Sequence, residues 1–162
     1  MKRLLKPNIY LESVFMIDRE ILKENSIKGI IIDIDNTLVP WGAKNINDKS
    51  GKLIEQLRKD GFRICILSNN TKKRVDEFNK DLNLPAVYNA GKPRKSAYKK
   101  ALELLQTEIS NTAVIGDQIF TDVLGGNRVG LFTILVNPIS TKEFFGTRLV
   151  RILERFVLKR IR

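Results

Sequence analysis

Short apolar runs alternate along this chain with stretches of helical periodicity, and this alternation constrains the fold more than any other feature. The runs are nearly free of polar residues, so as strands they would have to be buried on both faces. Sheets buried on both faces are typically parallel and covered by helices. We therefore predict an α/β fold, a parallel sheet flanked by helices, with candidate strands at 29–34, 63–67, 86–88, 112–115 and 132–136.

The segments between these runs have the pattern of crossover helices. Segment 47–59 carries apolar residues at helical spacing and stops before Gly61, which is a typical helix end. Segment 93–106 has a longer apolar face. Weaker patterns predict short helices at 71–79 and 121–127.

Composition excludes several kinds of chemistry. The chain has 162 residues, 43% hydrophobic and 29% charged, which is ordinary for one globular domain, so residues 1–162 are predicted to form a single domain. It contains no histidine, which excludes Ser-His and Cys-His nucleophile pairs and imidazole metal ligands. The lone Cys65 lies in an apolar run and is predicted to pack in the core, which fits a reducing compartment. Any catalysis must therefore use carboxylates, hydroxyls and amines.

Polar residues stand at the ends of four predicted strands. They are Asp33 with Asp35, Ser68, Lys92, and Asp117 with Asp122. Ligands of open parallel sheets bind beyond the carboxyl ends of the strands, so we expect these side chains to form one site. Neighbouring carboxylates repel, and a divalent cation would compensate them; magnesium is favoured over calcium because no EF-hand loop follows. A cation, a hydroxyl and an ammonium would receive a phosphoryl group, with one carboxylate as nucleophile and another as general acid/base.

The order and spacing of these residues resemble the four motifs of the haloacid dehalogenase-like phosphohydrolases. The matching segments are Asp33-Ile-Asp-Asn-Thr37, Leu67-Ser-Asn-Asn70, Gly91-Lys-Pro93 and Gly116-Asp-Gln-Ile-Phe-Thr-Asp122. The resemblance covers about residues 27–137. It implies a Rossmann-like fold and a magnesium-dependent phosphatase that works through an aspartyl phosphate.

The resemblance also implies a role for each motif residue. Asp33 would be the nucleophile and Asp35 the general acid/base. The phosphate-binding residues would be Ser68, Asn69 and Lys92, and the magnesium-binding residues would be Asp33, Asp35 through its backbone carbonyl, Asp117 and Asp122. An acid at position 35, where the ion-pumping branch of the family has threonine, indicates a phosphatase rather than an ATPase.

Neither place at which this family inserts a cap domain has room for one, so the site is predicted to be open. Open sites suit bulky substrates, and Trp41 and Arg94 are candidate substrate contacts. Together with segments 7–10 and 35–41, the missing cap resembles the bacterial subgroup IIIA, which is similar to the mitochondrial phosphatidylglycerophosphate phosphatase. That resemblance implies an anionic phospholipid substrate on the path to phosphatidylglycerol and cardiolipin. A soluble phosphatase acting on nucleotide, sugar or protein phosphates is the alternative.

Most of the net charge of +11 lies at the two ends of the chain, with +3 in residues 1–6 and +5 in residues 148–162. Residues of about 142–162 carry apolar and basic stripes, typical of an amphipathic helix that lies on an anionic membrane, or equally of one that packs on the domain or on a second copy. No segment is long enough to span a bilayer, so we expect a cytoplasmic protein with peripheral contact at the inner face of the membrane through its basic termini. The charge would also suit a nucleic-acid-binding or ribosome-associated protein, although no aromatic-rich RNA-binding signature accompanies it.

Overall fold

A computed structural model describes residues 2–140 and Glu154, and within them six strands form one parallel sheet covered by helices on both faces. The strands are β1 (Ile9–Leu11), β2 (Gly29–Ile32), β3 (Arg63–Leu67), β4 (Ala86–Val87), β5 (Thr112–Gly116) and β6 (Phe132–Val136). The helices are α1 (Arg19–Glu24), α2 (Asp48–Lys59), α3 (Lys72–Asn79), α4 (Lys95–Leu105) and α5 (Leu124–Val129), and a π-helical turn (Ile119–Val123) precedes α5. The strand order is β1-β6-β5-β2-β3-β4. The predicted α/β class is confirmed.

Strand β2 lies in the middle of the sheet and shows why its sequence is continuously apolar. Ile30 and Ile32 pack in one apolar layer with residues of α1, α2 and α3, whereas Ile31 packs in a second layer with residues of α4. All three side chains are fully buried. Burial of one such side chain contributes about 1.5–3 kcal/mol, so both faces of β2 stabilise the fold.

The helix ends follow from local hydrogen bonding. Helix α2 begins after Asn47, whose side chain accepts a hydrogen bond from the backbone N–H of Ser50 at 2.9 Å. It stops before Gly61, which has the left-handed φ of +90° that favours glycine. The helices predicted at 47–59 and 71–79 therefore agree with α2 and α3 to within one residue.

Two elements were not predicted from the sequence. Strand β1 has three half-buried residues and, among the strands of residues 2–140, pairs with β6 alone, at one edge of the sheet. It is fixed by Asn8, whose side-chain oxygen accepts a hydrogen bond from the Thr133 N–H at 2.8 Å. Helix α1 has six residues. Both elements are too short for a periodic pattern, and long-range pairing supplies what the local sequence does not.

Within residues 2–140, the two places at which a cap would be inserted hold only loops and elements of the core fold. Residues 38–63 contain a loop and α2 and reach the start of β3, and residues 71–91 contain α3 and β4. Within residues 2–140, no helix combines the length and the apolar content that crossing a membrane requires. The C-terminal helix predicted at 142–162 lies outside the described residues except for Glu154, which is helical.

Candidate active site

Three carboxylates meet at the carboxyl ends of the central strands. Asp33 directly follows β2, Asp117 directly follows β5, and Asp122 lies in the π-helical turn after β5. All three residues are buried, and an oxygen of each lies within 4.8 Å of an oxygen of the others. We call these residues the acid cluster. Carboxylate oxygens at this spacing are ligands that a divalent cation prefers, so the residues present fit such an ion.

Gly116 allows the acid cluster to close. A Cβ atom at this position would lie 2.2 Å from the carboxyl carbon of Asp122, which is far inside van der Waals contact. The last residue of β5 must therefore be glycine for Asp122 to reach its place beside Asp33.

Lys92 is the cation that the chain itself supplies to the acid cluster. Its ammonium donates hydrogen bonds to Asp33 Oδ1 at 2.8 Å and to Asp122 Oδ1 at 2.7 Å, and its side chain is only 4% exposed. The backbone N–H of Lys92 donates to the side-chain oxygen of Asn69 at 2.8 Å, which ties the loop after β4 to the loop after β3.

Burial and charge shift the titration of these groups in identifiable ways. Burial raises the pKa of Asp33, and the carboxylates of Asp122 and Asp117 raise it further, while the Lys92 ammonium opposes the shift. For Lys92, burial alone would lower the pKa, but the carboxylates of Asp122 and Asp33 outweigh it, and the pKa lies above its ordinary value. Among the described residues, the acid cluster brings three carboxylates together, and a divalent cation bound there would neutralise part of their charge.

Asp35 lies apart from the acid cluster. The strand ends at Ile32, so strand alternation does not extend to this residue. Its carboxylate accepts hydrogen bonds from Arg74 Nη2 at 3.1 Å, Asn70 Nδ2 at 2.5 Å and the Gly42 N–H at 3.3 Å. The Asp35 carboxylate is therefore held by these three donors and is not part of the acid cluster.

Five of the seven predicted site residues line one cavity of about 330 Å³, which we call the cleft. It is lined by Asp33, Asp35, Asn36, Trp41, Ser68, Asn69, Asn70, Lys92, Gln118 and Thr121. The hydroxyl of Ser68 accepts a hydrogen bond from the Asn70 N–H at 3.1 Å, which fixes the turn after β3. Asp117 and Asp122 lie behind this surface in the acid cluster.

Three further residues from the motif regions have distinct places. Thr37 donates a hydrogen bond to Asp117 Oδ1 at 3.2 Å and so braces the acid cluster from the first loop. Trp41 lines the cleft and is 44% exposed. Arg94 is exposed and is not among the described residues that line the cleft.

Sequence reasoning missed the residues that hold Asp35. Asn70 lies in the second motif, and Arg74 lies in the first turn of α3, where the Thr71 hydroxyl accepts a hydrogen bond from its N–H at 3.4 Å. The sequence did offer one sign of this role, because Arg74 is a cationic residue near the start of the helix that follows the second motif. Its partner could not be read from spacing, because 39 residues separate it from Asp35.

The arrangement can perform phosphoryl transfer. A buried carboxylate next to an ammonium can attack phosphorus, and the surrounding cations neutralise the phosphoryl oxygens. A second carboxylate in the same cleft, held apart from the first, can donate and accept the proton of the reaction.

Two family models match the segments that carry these residues. A model described as haloacid dehalogenase-like hydrolase matches residues 30–93, and a HAD-hydrolase-like model matches residues 89–142. The two matches together include the acid cluster and Lys92.

Curated relatives extend the similarity over the whole chain. The chain is 39% identical over 162 residues to the probable phosphatase YqeG of Bacillus subtilis. This match covers 100% of this chain and 94% of that protein. It is 27% identical over 169 residues to phosphatidylglycerophosphate phosphatase 1, chloroplastic/mitochondrial, of Arabidopsis thaliana. That match covers 98% of this chain but 49% of the plant protein, so the chain spans about half of its length.

Solved structures with the same fold are small phosphatases and related proteins. The cobalt-bound deoxy-D-mannose-octulosonate 8-phosphate phosphatase of Haemophilus influenzae superposes with a TM-score of 0.57 at 18% identity, over 86% of this chain and 91% of that chain. An uncharacterized protein of Listeria monocytogenes serotype 4b superposes with a TM-score of 0.58 at 15% identity, over 82% of this chain and 99% of that chain. The haloacid dehalogenase-like hydrolases use a divalent metal. Because of the two family-model matches and the 39% identity to the Bacillus relative over the full length, the chain belongs to this family and is a phosphoric monoester hydrolase acting on a phosphorylated substrate.

Proposed function

We propose that the protein is a magnesium-dependent phosphatase that works through an aspartyl phosphate on Asp33, with phosphatidylglycerophosphate as its substrate. One observation carries the mechanism. The Asp33 carboxylate lines the cleft 2.8 Å from the Lys92 ammonium and within 4.8 Å of the carboxylates of Asp117 and Asp122. A nucleophile, an ammonium and a set of metal ligands thus surround one point.

In the proposed reaction, an Asp33 oxygen attacks the phosphorus of the substrate, and the bond to the leaving oxygen breaks. Asp35 donates a proton to that leaving oxygen. In the second half, Asp35 takes a proton from water as the water attacks the phosphorus, and Asp33 is released as a free carboxylate. The separation of Asp35 from the acid cluster supports this division of labour, because its carboxylate is held by Arg74 and Asn70 rather than among the metal ligands.

The phosphate would be held by the second and third motifs. Ser68, Asn69 and Lys92 all line the cleft. The Lys92 ammonium would balance the charge of the phosphoryl oxygens, and the Ser68 hydroxyl would donate a hydrogen bond to one of them. Asn69 contributes by holding the Lys92 backbone through its side-chain oxygen.

Magnesium would be held by the carboxylates of the acid cluster and by the backbone carbonyl of Asp35. The ion supplies positive charge to the phosphoryl oxygens, so that an anionic carboxylate can approach an anionic phosphate. Magnesium is proposed over calcium because few protein oxygens converge at this point and magnesium keeps part of its water shell.

The lipid assignment is supported by three independent features. The plant phosphatidylglycerophosphate phosphatase matches 98% of this chain. Residues 38–63 and 71–91, where a cap would be inserted, contain only loops and elements of the core fold, which leaves room for a large head group. The net charge of +11 favours an anionic surface, and we propose a cytoplasmic protein whose basic termini contact the membrane peripherally.

The test is magnesium-dependent phosphate release from phosphatidylglycerophosphate in mixed micelles, beside a panel of nucleotide, sugar and protein phosphates. We expect a higher kcat/KM for the lipid than for every soluble ester. Asp33→Asn is the matched control, since it keeps the size of the side chain and removes the nucleophile; its turnover should fall to background. A preference for a soluble ester would overturn the lipid assignment and keep the mechanism. Turnover by Asp33→Asn equal to that of the wild type would overturn the mechanism, and no turnover of any ester would favour a binding role.

A further inference from the structure

Glu154 is a buried acid that the proposed reaction does not use. It is the single acidic residue among the basic residues of 148–162, and it is only 3% exposed. Its Oε1 atom accepts hydrogen bonds from the backbone N–H of Ile119 at 2.6 Å and of Phe120 at 3.3 Å. Burial of a carboxylate costs its hydration, and hydrogen-bond donors must compensate for that loss. The two backbone N–H groups supply such donors, so the contact is specific.

The position of this contact is the start of the helical segment that follows β5. The first N–H groups of a helix have no partner within the helix, and a side chain of the preceding residue usually satisfies them. Here the preceding residue is Gln118, and its side chain makes no such hydrogen bond. Glu154 therefore supplies from 34 residues away the cap that the local sequence lacks.

The capped turn also positions part of the acid cluster. The Gln118 N–H, one residue before Ile119, donates to Asp122 Oδ2 at 3.1 Å. The other oxygen of Asp122 accepts the hydrogen bond from Lys92 at 2.7 Å. Asp117 immediately precedes Gln118 in the chain. The turn between the two acids is thus held at one end by the acid cluster and in its middle by Glu154.

We infer that Glu154 is a positioning residue for the acid cluster, and that its contact with the backbone of Ile119 and Phe120 is coupled to divalent-metal binding. This inference rests on the proposed metal site. Coupling is reciprocal, so an ion bound by the acid cluster would hold the Glu154 contact closed, and loss of that contact would weaken binding of the ion.

The test measures Mn²⁺ binding directly, from the electron paramagnetic resonance signal of free Mn²⁺, without turnover. Glu154→Ala removes the acceptor, and we expect its dissociation constant for Mn²⁺ to rise by about tenfold, as for other residues that orient metal ligands. Glu154→Gln keeps a carbonyl oxygen as acceptor and should restore affinity to within about threefold of the wild type. Glu55→Ala removes an exposed acid on α2 that pairs with Lys59, and should leave the constant unchanged.

Two results would overturn the inference while the wild type binds Mn²⁺. One is a Glu154→Ala protein that is folded by circular dichroism and binds Mn²⁺ within twofold of the wild type. The other is a Glu154→Gln protein that is as weak as Glu154→Ala, because a retained acceptor should rescue a positioning role. A wild type that binds no Mn²⁺ would instead overturn the metal assignment of the proposed function, and this inference with it.

A measurement on the wild type keeps the inference testable if Glu154→Ala does not fold. Hydrogen exchange of the Ile119 and Phe120 amides reports the two hydrogen bonds to Glu154. Saturating Mg²⁺ should slow their exchange by at least about fivefold, because binding at the acid cluster favours the contact with Glu154. Unchanged exchange of both amides at saturating Mg²⁺ would overturn the coupling.

Discussion

Replacement of Lys92 by methionine removes the ammonium from the acid cluster and keeps the length of the side chain. At an effective dielectric constant of about 20, the 2.7 Å contact of the Lys92 ammonium with the Asp122 carboxylate corresponds to about 6 kcal/mol of Coulomb energy. Desolvation of the ammonium opposes this by several kcal/mol. Removing one partner of a buried ion pair leaves the other charge uncompensated, so we expect the free energy of unfolding to fall by about 3–5 kcal/mol.

Urea unfolding followed by circular dichroism, at pH 7 with EDTA, measures this loss. With an m-value of about 2 kcal/mol per molar urea, the midpoint should fall by about 1.5–2.5 M at unchanged m. Lys59→Met is the control, since Lys59 forms an exposed pair with Glu55 and its loss should leave the midpoint nearly unchanged. A loss below about 1 kcal/mol for Lys92→Met would refute the view that this ammonium compensates buried carboxylates.

Three other substitutions or modifications test separate contacts. Gly116→Ala should lower the free energy of unfolding by about 1–3 kcal/mol and weaken Mn²⁺ binding, because its Cβ would lie 2.2 Å from the carboxyl carbon of Asp122. Gly51→Ala is the control, since its Cβ would meet nothing within 4 Å and should not destabilise the fold. Arg74→Ala should lower kcat more than it raises KM, because Arg74 holds the Asp35 carboxylate 3.1 Å away; an unchanged kcat would contradict that role. Burial raises the pKa of the Cys65 thiol to about 12, so at pH 8 a thiol reagent should modify it only after unfolding, and rapid labelling of the native protein would contradict this.

The central sheet could be predicted from sequence because its strands are buried on both faces. In β2, the run Gly29–Ile32 is apolar for that reason, and neighbouring runs share the pattern. Strand β1 could not be predicted, since its three residues at the sheet edge depend on pairing with β6, more than 120 residues away. Local periodicity reports burial, but it does not report which distant segment covers an edge.

The residues of the candidate site also fall into a group that could be predicted from the sequence and a group that could not. Asp33, Lys92 and Asp122 could be named from their places at strand ends, because the order of the strands brings those ends together. The contacts of Arg74 and Glu154 could not, since each joins residues that are 34 or more positions apart and neither has a recognisable spacing. What the sequence leaves out is therefore the set of residues that orient the reacting groups.

Titration of Asp33 links the stability of the metal-free protein to pH. The pKa of this buried carboxyl is raised, so between its ordinary value of 3.8 and its folded value the native state binds more protons than the unfolded state. Stability contributed by the protonated form is present below pH 3.8 and is lost as pH rises, by at most about 1.4 kcal/mol per pH unit. Lys92, whose pKa is also raised, stays protonated in both states from pH 5 to 8 and adds no slope.

A divalent ion should reverse this trend, because it binds the deprotonated carboxylate. We expect the free energy of unfolding in EDTA to fall from pH 5 to pH 8, and the stabilisation by Mg²⁺ to grow over the same range. Asp33→Asn removes this titration, so its stability in EDTA should depend less steeply on pH. An equal slope in Asp33→Asn and wild type would show that Asp33 does not carry the shift. Stabilisation by Mg²⁺ that shrinks as pH rises would show that the ion does not compete with protons at the acid cluster.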